Sequence, residues 1–98
     1  MYAVIFTAKI KQVDSEYLIV AKRMRALATE EYGCVDFVSV SEGDQELAIS
    51  YWPSLKQIEK WKNDPEHIEA QALGKQRWYS EYKVQIVRIE REYKARTK

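Results

Sequence analysis

The sequence predicts a single α+β domain in which an antiparallel four-stranded sheet carries its helices on one face. Three observations predict it. Its 98 residues make one small core, since a chain of this size buries only about two-thirds of its unfolded surface. Hydrophobic periodicity switches between the strand and helix values in the order strand, helix, strand, strand, helix, strand. Turn formers (Gly33, Gly43, Pro53, Pro65) stand at the switches. A composition of 46% hydrophobic and 32% charged residues, with three Gly and two Pro, excludes disorder and low complexity.

Tyr2, Val4, Phe6, Ala8 and Ile10 alternate with Ala3, Ile5, Thr7 and Lys9, the period of a strand. Both sets are largely apolar up to Ile5, so this strand should be covered on two faces. Asp14 is placed to cap a helix running to about Tyr32, whose Tyr17, Ala21, Met24, Leu27 and Ala28 recur every three or four positions. Gly33 then supplies a left-handed stop. "CVDFVSVSEGDQELAISYW" reads as two strands joined at Glu42-Gly43-Asp44-Gln45, with Gly43 providing positive φ. Ser54 and Gln57 have capping-box spacing before the short apolar stripe Leu55, Ile58, Trp61. Asp64 caps and Pro65 opens a further helical stretch that should end near Ser80. "YKVQIVRIEREY" is the last strand.

This order is that of a ferredoxin-like βαββαβ sandwich, one domain over residues 1–98 with a basic C-terminal tail at 91–98 (Arg91, Lys94, Arg96, Lys98). Helices protect one sheet face only, yet the first and third strands look apolar on both. Ile49 and Tyr51, or Ala48 and Trp52 on the opposite parity, must meet something besides this chain's helices. A facing second sheet is the simplest cover, so the chain is predicted to form a homodimer.

Sixteen basic against fifteen acidic residues leave a net charge of +1, which draws in neither nucleic acid nor an anionic membrane. The tail reads as a solvated terminus. The single cysteine, Cys34, cannot form an internal disulfide and reads as a small core residue. The opening "MYAVIFTAKIK" lacks the basic start and cleavage site of a leader, and its apolar run is too short to span a bilayer. A reduced, cytoplasmic protein is the expectation.

His67 is the only histidine. At about 100° per residue, Gln71, Gly74 and Trp78 fall on its flank of the helix, bordering a core face expected at Ile68, Ala72 and Tyr79. Gly74 leaves space there for a ligand or for close backbone packing. The N-terminal helix dipole favours a neutral imidazole, while Asp64, Glu66 and Glu69 pull the other way. On residues alone, a half-buried structural histidine outweighs a reagent. The tryptophans read as core first and pocket wall second. One His, one Cys and no clustered carboxylates argue against a zinc site. No Gly-rich loop supports nucleotide or flavin binding, and no nucleophile motif announces a Ser-His-Asp arrangement. No metal or cofactor is expected.

"AISYWPSLKQIEKWKNDPEHIEAQALGKQRWYSEYKVQIVRIEREY" resembles the central and C-terminal pattern of the antibiotic biosynthesis monooxygenase-like domain: an aromatic pair ending a strand, "xWxxxPEHxxAQxxG", then "WYxxYxVxxxRVxRxY". With "YAVIFTAKIK" and its helix, the similarity spans nearly the whole chain. The resemblance implies a dimeric α+β barrel. It also implies, for some members, an oxygenase without metal, flavin or haem, in which a bound phenolic polycycle loses a proton and passes an electron to O₂. By that analogy Trp61 and Trp78 are ring walls, His67 is the proton acceptor, and Gln71 or Tyr51 positions the substrate. Of these, only Trp61 is carried over from the family pattern; the others are inferred from placement.

Haem-degrading relatives carry a ligand histidine ten residues beyond the helix tryptophan and an asparagine in the first strand. Ten residues beyond Trp61 stands Gln71, and the first strand has Phe6 and Thr7 in that region, so haem degradation is disfavoured. The competing hypothesis is a non-catalytic dimeric module that binds a small molecule or serves in stress. A closed aromatic cavity holding the His67 side chain favours small-molecule chemistry; a cavity plugged by the chain's own residues favours the module.

Overall fold

In the computed structural model, which describes residues 1–97, the predicted order of elements is present. The elements are β1 (Tyr2–Ile10), α1 (Tyr17–Glu31), β2 (Asp36–Glu42), β3 (Gln45–Trp52), α2 (Leu55–Lys62), α3 (Pro65–Leu73) and β4 (Tyr79–Arg88), with a π-helical turn at Gly74–Trp78 before β4. The strands form one antiparallel sheet in the order β2-β3-β1-β4. This is the ferredoxin-like α+β sandwich. Lys98, the last residue of the basic tail, lies outside the described residues. Among those described, no helix is long and apolar enough to cross a membrane.

Register decides which side chains the helices cover. Val4 pairs with Ser50 and Ile86, Phe6 with Ala48 and Val84, Ala8 with Glu46 and Tyr82. Cross-strand partners share a face, so this parity looks toward the helices. The opposite parity carries Ile5 against Ile49, with Val38 beyond it. That face has no helix over it, and Val38 and Val40 remain 47% and 56% exposed.

The core is one-sided. Val4, Leu27, Ala28, Cys34, Trp52, Ile58 and Trp61 cluster between the sheet and the C-terminal half of α1 together with α2. Trp52 is fully buried, and its Nε1 donates to Ser50 Oγ at 2.8 Å, which satisfies the one buried polar side chain. Cys34 is buried as expected, and burial pushes its thiol pKa up, the setting of an inert packing residue. Gly33 has φ +78° and Gly43 φ +59°, as their stop and turn roles require. Ser54 Oγ accepts from the Gln57 N–H, and Asp64 Oδ1 from the Glu66 N–H. Both predicted caps are therefore made.

Three expectations are corrected. Helix α1 begins at Tyr17 and not directly after Asp14. Asp14 closes a preceding turn instead, accepting from the Glu16 N–H at 3.0 Å, and its other oxygen is held by Arg77 Nε at 3.0 Å. The last strand starts at Tyr79 and stops at Arg88, earlier at both ends than "YKVQIVRIEREY". Its limits follow β1: Tyr79 pairs with Ile10, Arg88 with Tyr2, and the Ile89 N–H reaches Met1 O at 3.0 Å, after which no partner strand remains. Finally, α3 is rotated from the expected core face. Ile68 is 53% exposed and Ala72 is exposed, while the flank of His67, Ala70 and Gln71 turns toward the sheet.

A cavity with an imidazole end and a phenol end

The α3 rotation follows from how the helix is anchored. Asp64 accepts a 2.6 Å hydrogen bond from the Tyr32 hydroxyl, which ties the start of α3 to the end of α1. About two and a half turns back along α1, Arg23 grips Glu66 with two bonds of 2.7 Å. These contacts point Glu66 outward toward α1, and His67, the next residue, then swings under the helix toward the sheet.

Between α1, α3 and the helix-facing side of the sheet lies a cavity of about 650 Å³. That size is within the range of sites for small organic ligands. At one end the His67 ring meets Trp61 edge-on, centroids 4.3 Å apart, and Trp61 in turn meets Phe37 at 6.3 Å. At the other end Phe6 packs on Tyr79 and Tyr82 at 5.4 and 5.9 Å, and Tyr17 stands edge-on to Tyr79 at 6.3 Å. Tyr17 and Arg25 are eight residues apart on α1, about 12 Å. Glu46 and Ser50, the cross-strand partners of Ala8 and Phe37, are about 13 Å apart along β3. The cavity is therefore a slot about that long.

The polar groups are unevenly distributed. Burial first, then the nearby Lys62 ammonium, lowers the His67 pKa to about 4 against the opposing pull of Asp64. His67 is accordingly a neutral imidazole at pH 7. Its Nδ1 and the Nε1 of Trp61 are buried without a hydrogen-bond partner among the described residues. Burial raises the Tyr17 and Tyr79 phenol pKa values, and the Glu46 carboxylate adds to both shifts. These phenols remain protonated and can donate.

The cavity brings together three of the five residues singled out from sequence: Trp61, His67 and Gln71. It does not bring in the other two. Tyr51 pairs with Ala3 and Asp36, the parity that faces away from the helices. Trp78 is 2% exposed and packs on Tyr17 from behind, centroids 5.2 Å apart, so it backs the wall without lining it. Sequence reasoning missed Tyr79, Tyr82, Phe6, Phe37 and Arg25 as lining residues. The available signal was β1 parity: Val4, Phe6 and Ala8 on one side announce an apolar floor. Among the described residues no three His, Cys, Asp or Glu side chains gather into a metal-holding group.

Gly74 is needed where it stands because Tyr79 is there. A Cβ at Gly74 would lie 2.6 and 2.8 Å from Cε2 and Cδ2 of the Tyr79 ring. Gly74→Ala should destabilise the domain by about 1–2 kcal/mol, the overpacking cost exceeding the helix-propensity gain. Denaturant melts would show this. The same change in a Tyr79→Leu background should cost nothing, and an equal cost in both backgrounds would remove the ring from the explanation.

No family model matches the chain. It is 35% identical over 92 residues to YqjZ, an uncharacterised protein of Bacillus subtilis strain 168, covering 93% of this chain and 81% of that protein. Among solved structures it is similar to Rv0793 of Mycobacterium tuberculosis, with a TM-score of 0.81, 14% identity and coverage of 95% of this chain and 98% of that one. It is also similar to SnoaB of Streptomyces nogalater, described as a cofactor-independent oxygenase, with a TM-score of 0.78, 12% identity and coverage of 93% and 94%. A protein from Deinococcus radiodurans described as a putative antibiotic biosynthesis monooxygenase has a TM-score of 0.74, 14% identity and coverage of 99% and 100%. The chain and YqjZ belong to one family, and the chain has the fold of the antibiotic biosynthesis monooxygenase-like structures to which it is similar.

Proposed function

We propose that the protein is a cofactor-independent monooxygenase that oxidises a small phenolic or quinol-like aromatic with O₂. The observation that carries this reading is the open aromatic slot with the His67 ring in its wall. A stress module that binds no small molecule has no need to keep such a space clear of its own side chains. A module that only binds one has no need of a buried imidazole with an unpartnered nitrogen in its wall. The likeness to SnoaB, described as a cofactor-independent oxygenase, supports the reaction class.

Each lining group has a task. Trp61 and Phe37 at one end and Phe6 and Tyr82 at the other hold a flat ring system by stacking and exclude water. Neutral His67 accepts the proton that turns the substrate into an electron-rich anion, and Gln71 on the next turn of α3 orients it. Tyr17 and Tyr79 donate to a carbonyl or hydroxyl oxygen at the far end. O₂ then takes four electrons in all: a ring-flanked CH₂ becomes C=O, one oxygen atom enters the product and the other leaves as water with the two hydrogens. No external reductant is required. Anthrone under air is the probe. Catalysis above the protein-free rate should consume one O₂ per anthraquinone formed, and an uncatalysed rate across anthrone-type phenols would dispose of the proposal.

The active form in this reading is a homodimer, a dimeric α+β barrel. Ile5, Ile49, Tyr51, Val38 and Val40 make the helix-free sheet face apolar, and a second copy of that face covers them. Ile49→Asp should shift the sedimentation coefficient from that of two chains to that of one, because an unpaired carboxylate cannot be buried at such a contact. Wild-type protein that sediments as a monomer would refute the pairing. Oxidation of a phenolic intermediate inside the cell fits the expected cytoplasmic location.

A further inference from the structure

The cations of the cavity are segregated. Lys22, Arg25 and Lys62 line it, and none of them makes an ion pair among the described residues, whereas Arg23 and Arg77 just outside do. Arg25 lies with its guanidinium carbon 5.6 Å from the Phe37 ring centroid, folded onto the wall at the Trp61 end. Lys22 is one helical turn away on the same face of α1. Lys62 follows Trp61 and is close enough to His67 to act on its charge. The one carboxylate in the lining, Glu46, sits at the opposite end beside Tyr17 and Tyr79 and accepts from the Ser41 hydroxyl. In a chain of net charge +1 this is a local polarity, set along a slot of about 12 Å.

Resting on the proposed reaction, we infer that the substrate is an aromatic acid. Its ring system fills the slot, an ionised carboxylate lies at the Arg25–Lys22–Lys62 end, and a neutral hydroxyl or keto oxygen faces Tyr17 and Tyr79. Both half-sites suit these groups. Lys22 and Arg25 are exposed at the mouth, so the carboxylate keeps part of its hydration and need not be fully desolvated. A carboxylate at the far end would meet Glu46 instead, which fixes one orientation.

Calorimetric titration with 6-hydroxy-2-naphthoate, whose carboxylate and hydroxyl stand at opposite ends of the ring system, its methyl ester and 2-naphthol tests this. The acid should bind about tenfold more tightly than the ester or the naphthol. That ratio should fall toward one in Arg25→Gln/Lys62→Gln protein and at about 0.5 M salt. Lys56→Gln/Lys60→Gln, an equal charge change on α2 outside the cavity, should leave it intact. Acid and ester binding alike would overturn the inference while leaving the aromatic cavity and its proposed chemistry standing. A ratio unmoved by the double substitution would overturn it equally. Acid preference without O₂ consumption, conversely, would retain the ligand class and discard the oxygenase. No binding of any of the three probes would remove both.

Discussion

His67→Gln is expected to lower kcat/KM for aerobic anthrone oxidation by about a hundredfold to ten-thousandfold, the range for losing a positioned general base. Glutamine keeps the volume and a hydrogen-bonding group but cannot accept a proton. The wild-type pH profile supplies the readout that a structural role would not produce. Catalysis needs neutral His67, and its pKa is lowered to about 4, by burial first and the Lys62 charge second. The rate should therefore hold steady down to about pH 5 and halve near pH 4, not near the unperturbed histidine value of about 6.5. His67→Gln should abolish that limb along with the activity. Full activity in His67→Gln, or an acid limb near pH 6.5, would remove His67 as the base. A base this weak suits the ring-flanked CH₂ only where the resulting anion is stabilised on the spot. The charge spreads through the ring system to the oxygen at the far end, where the donated hydrogen bonds of Tyr17 and Tyr79 stabilise it.

The same shift makes a stability prediction of fixed sign. Unfolded, His67 binds its proton through about pH 6.5; folded, only near pH 4. The unfolded chain thus takes up more protons between these values, so the stabilisation is complete above about pH 6.5 and is lost as pH falls through 4. Discounted for partial exposure, it is on the order of 2–3 kcal/mol. Denaturant midpoints compared between wild type and His67→Gln across that window should converge toward acid. Parallel curves would mean that the imidazole is not desolvated.

The elements were legible because they rest on local signals. Ser54 and Asp64 cap where their spacing says they should, and Gly33 and Gly43 turn the chain where only glycine is comfortable. The faces were harder. Tyr51 and Trp52 are equally good strand residues, and both parities of β1 and β3 are apolar, so nothing in one chain says which side the helices take. On α3, apolar Ile68 and Ala72 argued for one rotation, but the Tyr32–Asp64 and Arg23–Glu66 contacts impose another. These partners are 32 and 43 residues apart in sequence. The polar lining was hidden for the same reason: Arg25, Glu46 and Lys62 come from three elements and look like ordinary surface charge until the fold brings them to one slot.

Trp61→Ala should then do the most damage of any single change to the cavity. Trp61 is 6% exposed and stands between the core and the slot, its ring 5.1 Å from Trp52 on one side and 4.3 Å from His67 on the other. Truncation should cost about 3–5 kcal/mol, since the removed ring leaves a void that its neighbours fill only in part. For a domain of this size that is a large share of the total. Water reaching His67 through the gap would relieve the desolvation that comes first among the causes of its lowered pKa. The imidazole pKa, followed by NMR titration of its only ring, should therefore rise from about 4 toward the normal value of about 6.5. Trp61→Phe separates the two effects: it restores most of the stability but only part of the shielding, so its pKa should lie between. A His67 pKa unchanged in Trp61→Ala would show that the charge of Lys62, and not the tryptophan wall, holds the imidazole neutral.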